Sequence, residues 1–144
     1  MNPTDFVRTL EDEKIVTAIR EAEQRSCGQI RVWISGKQID DPLAAAQRRF
    51  KKLRMAKTNH RNAVLLYFAP RPRKFAIIGD VGVHEKCGDS FWQKVAAQLT
   101  HDMHEIPMTD AIVNAVRTVG ALLAAHFPPQ GGDSNELPDT VLRD

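Results

Sequence analysis

The sequence predicts an α/β fold, a three-layer α/β/α sandwich in which a small mixed central sheet carries helices on both faces. Segments of helical periodicity alternate with short β-rich runs along the chain, the pattern of strands covered by helices. One run, Ala63–Ala69, is apolar throughout, as expected of a strand buried on both sides. The next run follows a Pro-Arg-Pro-Arg link too short for a parallel crossover, so the two should pair antiparallel. A chain of 144 residues fits one domain with an ordinary core. We read it as residues 1–128, with 129–144 a flexible tail.

In order along the chain, Leu10, Ile15, Ala18, Ile19 and Ala22 recur at helical spacing, and Thr9 with Asp12 resembles a capping pair. A first helix is expected from Leu10 to Ser26, ended by Gly28. Gln29–Ser35 alternates polar with β-branched and aromatic residues, a first strand with one inward face. Asp41-Pro42 supplies an N-cap and a first-turn proline, and Leu43, Ala46, Phe50 and Leu53 share a narrow arc, so a second helix should run to about Lys57. Ala63–Ala69 and Phe75–Ile78 are the next strands, followed by a polar loop from Asp80 to Asp89. Phe91, Trp92, Val95, Ala96, Leu99 and Met103 mark a third helix ending near His104, and Ala111 through Leu123 mark a fourth. The composition after Phe127 is that of turns and disorder, with Leu137 or Val141 able to touch the domain.

Charge is unevenly placed. The chain has 20 Lys and Arg against 18 Asp and Glu. Ten of the cations, and no acid, fall between Pro42 and Gly79. Arg48, Arg49, Lys51 and Lys52 line the polar side of the second helix, a face suited to an anionic partner and first of all to another protein. Nucleic acid is a weaker expectation, because Phe50, Phe68 and Phe75 read as core residues and no RNA-binding signature is present.

The start, MNPTDFVRTLEDEK, is acidic where a signal peptide is basic and apolar, so a cytoplasmic location is expected. Ala63–Ala69 is far shorter than a membrane span. Cys27 and Cys87 lack the close spacing of zinc or redox motifs and read as reduced thiols. Lys86 and His84 beside Cys87 are features that lower a thiol pKa. His101 and His104 share a helix face but do not form the HExxH arrangement, and read as solvated residues near a helix end.

Asp80 stands where a strand leaves the sheet, a position from which carboxylates reach ligands in α/β folds. With Glu85 and Asp89 it composes an oxygen-rich candidate site for Ca2+ or Mg2+, although the spacing matches no EF-hand. Acceptance of hydrogen bonds from its own turn is the plainer role for Asp80.

The helix before GQIRVWIS, the strand RNAVLLYFA, the segment RKFAIIGDVGVHEKCGDSFW and the final helix ending LLAAHFP together resemble the TPM domain. That family is named for thylakoid-lumen, photosystem II repair and nematode receptor-modulator proteins. The likeness covers roughly Leu10 to Phe127 and includes an Arg-Asn entering one strand and a Gly-Asp-x-Gly leaving the next. It implies an α/β/α sandwich. Some plant members are described as acid phosphatases, so it also implies a metal-dependent phosphatase as one activity. Asp80 would then be a metal ligand or nucleophile, Arg61 would stabilise phosphoryl oxygens and His84 would protonate the leaving group. Many relatives carry an export signal, a membrane anchor or a glycine-rich tail, none of which is read here. The leading expectation is therefore an interaction module that uses the basic helix and the Asp80–Asp89 loop, with the acidic tail as an internal competitor.

Overall fold

The computed structural model describes residues 3–37, 39–58, 60–69, 73–129 and 137–143. Five helices surround a four-stranded sheet: α1 (Pro3–Gln24), β1 (Gln29–Ile34), α2 (Pro42–Lys52), β2 (Ala63–Ala69), β3 (Lys74–Gly79), α3 (Val81–Cys87), α4 (Asp89–Glu105), α5 (Met108–His126) and β4 (Leu142–Arg143). The sheet order is β3-β2-β1-β4. β1 and β2 are parallel, joined by the α2 crossover, while β2 and β3 are antiparallel in the register Val64 to Gly79 through Ala69 to Lys74. The α/β fold with a mixed sheet and helices on both faces is as the sequence predicts.

Two cores lie on opposite faces. Ile30, Val32, Ile34, Val64, Leu66 and Phe68 project toward α1, α4 and α5. Trp33, Leu65, Tyr67 and Ala76 project toward Ala45, Ala46 and Met55 at α2 and the short 3-10 turn Met55–Lys57. Every residue of β2 is buried, which accounts for its unbroken apolar run. α5 is long and apolar enough to cross a membrane by length and composition, yet Ala111, Ile112, Val116, Val119 and Leu123 are buried in the larger core.

Four expectations need correction. α1 begins at Pro3 and ends at Gln24. α2 stops at Lys52, because Arg54 takes the left-handed conformation at φ 56° before the separate 3-10 turn. The stretch after Asp80 is a helix and not a polar loop: Asp80 caps α3, whose only fully buried residue is Val83. β1 has no solvent face, since all six residues are buried.

Residues 137–143 fall in the stretch expected as a tail, and they extend the sheet. Trp33 and Ile34 pair in parallel with Leu142 and Arg143. Leu137 donates its amide to Gln29 Oε1 at 3.0 Å, and the Arg143 guanidinium meets Asp12 on α1. Leu137 and Leu142 also pack against the core on the α2 side of the sheet.

Candidate functional site at the end of the sheet

The Arg-Asn and Gly-Asp-x-Gly pieces meet at one end of the sheet and lock together. Asp80 continues the ladder through its amide, which donates to Ala63 O at 2.9 Å. Its side chain is 4% exposed. Arg61 Nε donates to Oδ2 at 2.6 Å and Nη2 to Oδ1 at 2.8 Å, a bidentate fork, while Val81 N also donates to Oδ1 at 2.8 Å. The carboxylate holds the half-exposed Arg61 guanidinium above its already high pKa, chiefly through these hydrogen bonds.

Arg61 itself has φ 51°, and its carbonyl accepts from Gly82 N at 2.9 Å. A Cβ at Gly82 would collide with the carbonyl oxygens of His60 and Arg61, so the close approach of α3 to this turn requires glycine. The Asn62 side-chain amide donates to Cys27 O at 3.1 Å and ties the same turn to the entry of β1. The family-like residues are thus partners of one another in a joint between two strands and a helix.

That geometry separates the residues proposed for chemistry. Arg61 and Asp80 come together, but as each other's ligands. His84 is exposed on α3 and stacks obliquely on Trp92 at 5.5 Å between ring centroids. Glu85 and Asp89 are exposed, on α3 and at the first position of α4. Among the described residues no group of three or more His, Cys, Asp and Glu is arranged to hold a metal ion. Three of the roughly four acceptor sites of the Asp80 carboxylate are already taken, by Arg61 Nε, Arg61 Nη2 and Val81 N.

The remaining candidates are dispersed. Cys27 is buried, and partial burial of Cys87 pushes its thiol pKa up, against the lowering expected from Lys86 and His84. His101 and His104 are exposed on α4, with His104 Nδ1 2.9 Å from Thr100 O. Arg48, Lys51 and Lys52 are exposed on α2, and none of the three forms an ion pair among the described residues. Arg49 is different: it lies over the Trp33 ring at 4.5 Å, so it packs as well as carrying charge.

A further polar cluster was not predicted. Glu23 at the end of α1 accepts from Ile30 N at 3.0 Å, and Arg20 pairs with Asp139 at 3.3 Å. Burial, then a carboxyl–carboxyl hydrogen bond with Asp139, pushes the Glu23 pKa up to about 9. Burial also lowers the pKa of Arg31, opposed by the charges of Glu23 and Asp139. The only hint in the sequence is an Arg in the middle of an apolar strand.

Comparison with known proteins agrees with this architecture. The NMR structure of the BA42 protein from the psychrophilic bacterium Bizionia argentinensis is 31% identical and superposes with TM-score 0.86, over 93% of this chain and 92% of that one. The N-terminal domain of the cg2496 protein from Corynebacterium glutamicum, at 14% identity and TM-score 0.57, covers all of this chain and 81% of its own, and shows the shared fold alone. No curated protein matches. The TPM domain pattern spans residues 2–122, the stretch that contains the Arg61–Asp80 joint and all the helices but the last turn of α5. The chain therefore belongs to the TPM domain family.

Proposed function

We propose that this chain is a protein-interaction module whose cationic α2 face takes an acidic partner. The observation that carries the reading is the contrast between two sets of polar residues. Asp80 and Arg61 are committed to each other, while Arg48, Lys51 and Lys52 stand in water without carboxylate partners among the described residues. Such a face steers and orients an anionic surface more than it supplies raw affinity. A short poly-glutamate peptide is the first probe. Its binding should weaken as salt is raised, and reversal of all three charges (Arg48→Glu, Lys51→Glu, Lys52→Glu) should weaken it by at least about tenfold. Affinity unchanged by the triple reversal removes this face from the interaction.

The rival reading, a divalent-metal phosphatase, predicts hydrolysis of p-nitrophenyl phosphate with Ca2+ or Mg2+ that Asp80→Asn abolishes in a folded chain. The joint geometry argues for a different result. Asp80→Asn should lower stability by about 1.5–3 kcal/mol, the range for hydrogen bonds to a charged group, and no metal-dependent turnover should be seen in either protein. Turnover lost in a variant of unchanged melting temperature would favour the phosphatase.

A further inference from the structure

We propose that the outer edge of β3 is a strand-addition site for an extended segment of a partner protein in which apolar and acidic side chains alternate. The proposal rests on the cationic reading of α2 and adds where and in what conformation the partner binds.

The sheet order leaves β3 at an edge, and no described strand pairs with its outer side. The ladder fixes which groups are free. Asp80 N bonds to Ala63 O across the β2 side, so by antiparallel alternation Ile78 and Ala76 also bond inward. Phe75, Ile77 and Gly79 then direct their N–H and C=O outward, six groups in one row awaiting partners.

Each face beside that row has its own chemistry. On one, Phe75, Ile77, Trp92 and Ala96 form the apolar floor of a groove of about 410 Å3 between β3 and α4, with His84, Asp89 and Gln93 at its margin. Phe75, Ile77 and Trp92 are only partly buried against the core. Trp92 comes so close over Gly79 that a Cβ there would lie 2.6 Å from its ring, so this end of the strand accepts the indole in place of a side chain. On the other face α2 packs on β3 and β2. Lys74 Nζ donates to Asp40 O at 3.3 Å, which sets the start of α2 beside the start of β3 and carries Lys51 toward the end of the strand. Arg73, Lys74 and Lys51 are all exposed there. On this face Asp40 and Asp41 precede α2, and the Asp41 side chain caps it through Ala44 N.

An added strand sends successive side chains to opposite faces. Residues facing α4 meet the apolar side chains of Phe75, Ile77 and Trp92 and the carboxylate of Asp89, which disfavours an acid on that side, and those facing α2 meet cations. Period-two alternation of apolar and acidic residues is the pattern that satisfies both, the main chain supplying affinity and the faces supplying selectivity.

The test compares two synthetic peptides of identical composition, one alternating Val and Leu with Glu, the other with acidic and apolar residues in separate blocks, each titrated into the 15N-labelled chain. The alternating peptide should bind at least about tenfold tighter, with shifts concentrated at the amides of Phe75, Ile77 and Gly79 and at the Trp92 indole. N-methylation of its alternate amides, or Ile77→Pro in the chain, should erase the preference. The peptide modification leaves the protein untouched and so guards against a misfolded variant. Equal binding of both peptides, still weakened by the α2 charge reversal, overturns strand addition and leaves the cationic reading standing. A preference that survives N-methylation also overturns it. If neither peptide binds, both readings fall.

Discussion

Gly82→Ala is expected to destabilise the domain by about 3 kcal/mol or more, although it adds a single methyl group. The Cβ would enter the space of two backbone carbonyl oxygens, those of His60 and Arg61, which no rotamer change can move. Overpacking at a rigid contact costs about 1–3 kcal/mol, and the forced separation also breaks the Gly82 N to Arg61 O bond, worth about 1 kcal/mol. At roughly 3 °C per kcal/mol for a domain of this size, the melting temperature should fall by about 10 °C. The same displacement pulls Arg61 away from Asp80, so the amide shift of Val81, which donates to Asp80, should move as well. A melting temperature within about 2 °C of the parent would mean that the turn has room the geometry does not show.

The Glu23 cluster should make stability fall as pH rises, and Glu23→Gln should remove most of that slope. In the folded chain the Glu23 pKa is pushed to about 9 from an ordinary 4.5, by burial first and by the Asp139 carboxyl second. A raised folded value means that the stabilising contribution is complete below the unfolded pKa and is lost as pH climbs toward the folded one. The window is therefore about pH 4.5 to 9. One unit is about 1.4 kcal/mol, so even half of the shift corresponds to about 3 kcal/mol across the window. The charges that face Glu23 are Asp139 on the C-terminal segment and Arg31 on β1, with Arg20 of α1 paired to Asp139. Glutamine keeps an oxygen for Ile30 N and an N–H for Asp139 while removing the proton. Thermal melts at pH 5 and pH 8.5 check this: the variant should exceed the parent at the higher pH by several degrees, roughly 5–10 °C. A parent profile as steep as that of the variant would assign the pH dependence to other groups.

The legible parts of the fold were those in which a local pattern and burial coincide. Ala63–Ala69 could be read as a doubly covered strand because both its faces are core. The stripe Val95, Leu99 and Met103 announced α4 because its buried face follows helical spacing. α3 was missed because only Val83 is fully buried and Gly82 sits near its start, so periodicity had nothing to act on. β4 was missed because two residues paired to β1 carry no period at all.

The sequence picks out Asp80 as a candidate ligand where a strand leaves the sheet, but its role depends on a partner nineteen residues away. Spacing cannot reveal that Arg61 occupies both of its oxygens. The Glu23–Arg31–Asp139 cluster is harder still, since its members come from α1, β1 and the C-terminal segment and are joined only by tertiary geometry.

The docking of β4 bears on the order in which the chain folds. Asp12 and Arg20, the partners of Arg143 in β4 and of Asp139 before it, lie 131 and 119 residues away, and the strand pairs with the side of β1 that β2 leaves open. Contacts of such sequence separation carry a high loop-closure cost and form late. The C-terminal segment is therefore the last part of the sheet to arrive. Its stabilisation acts chiefly on the rate of unfolding, as expected of interactions absent from the transition state, so it serves as a clasp on a domain that has already folded.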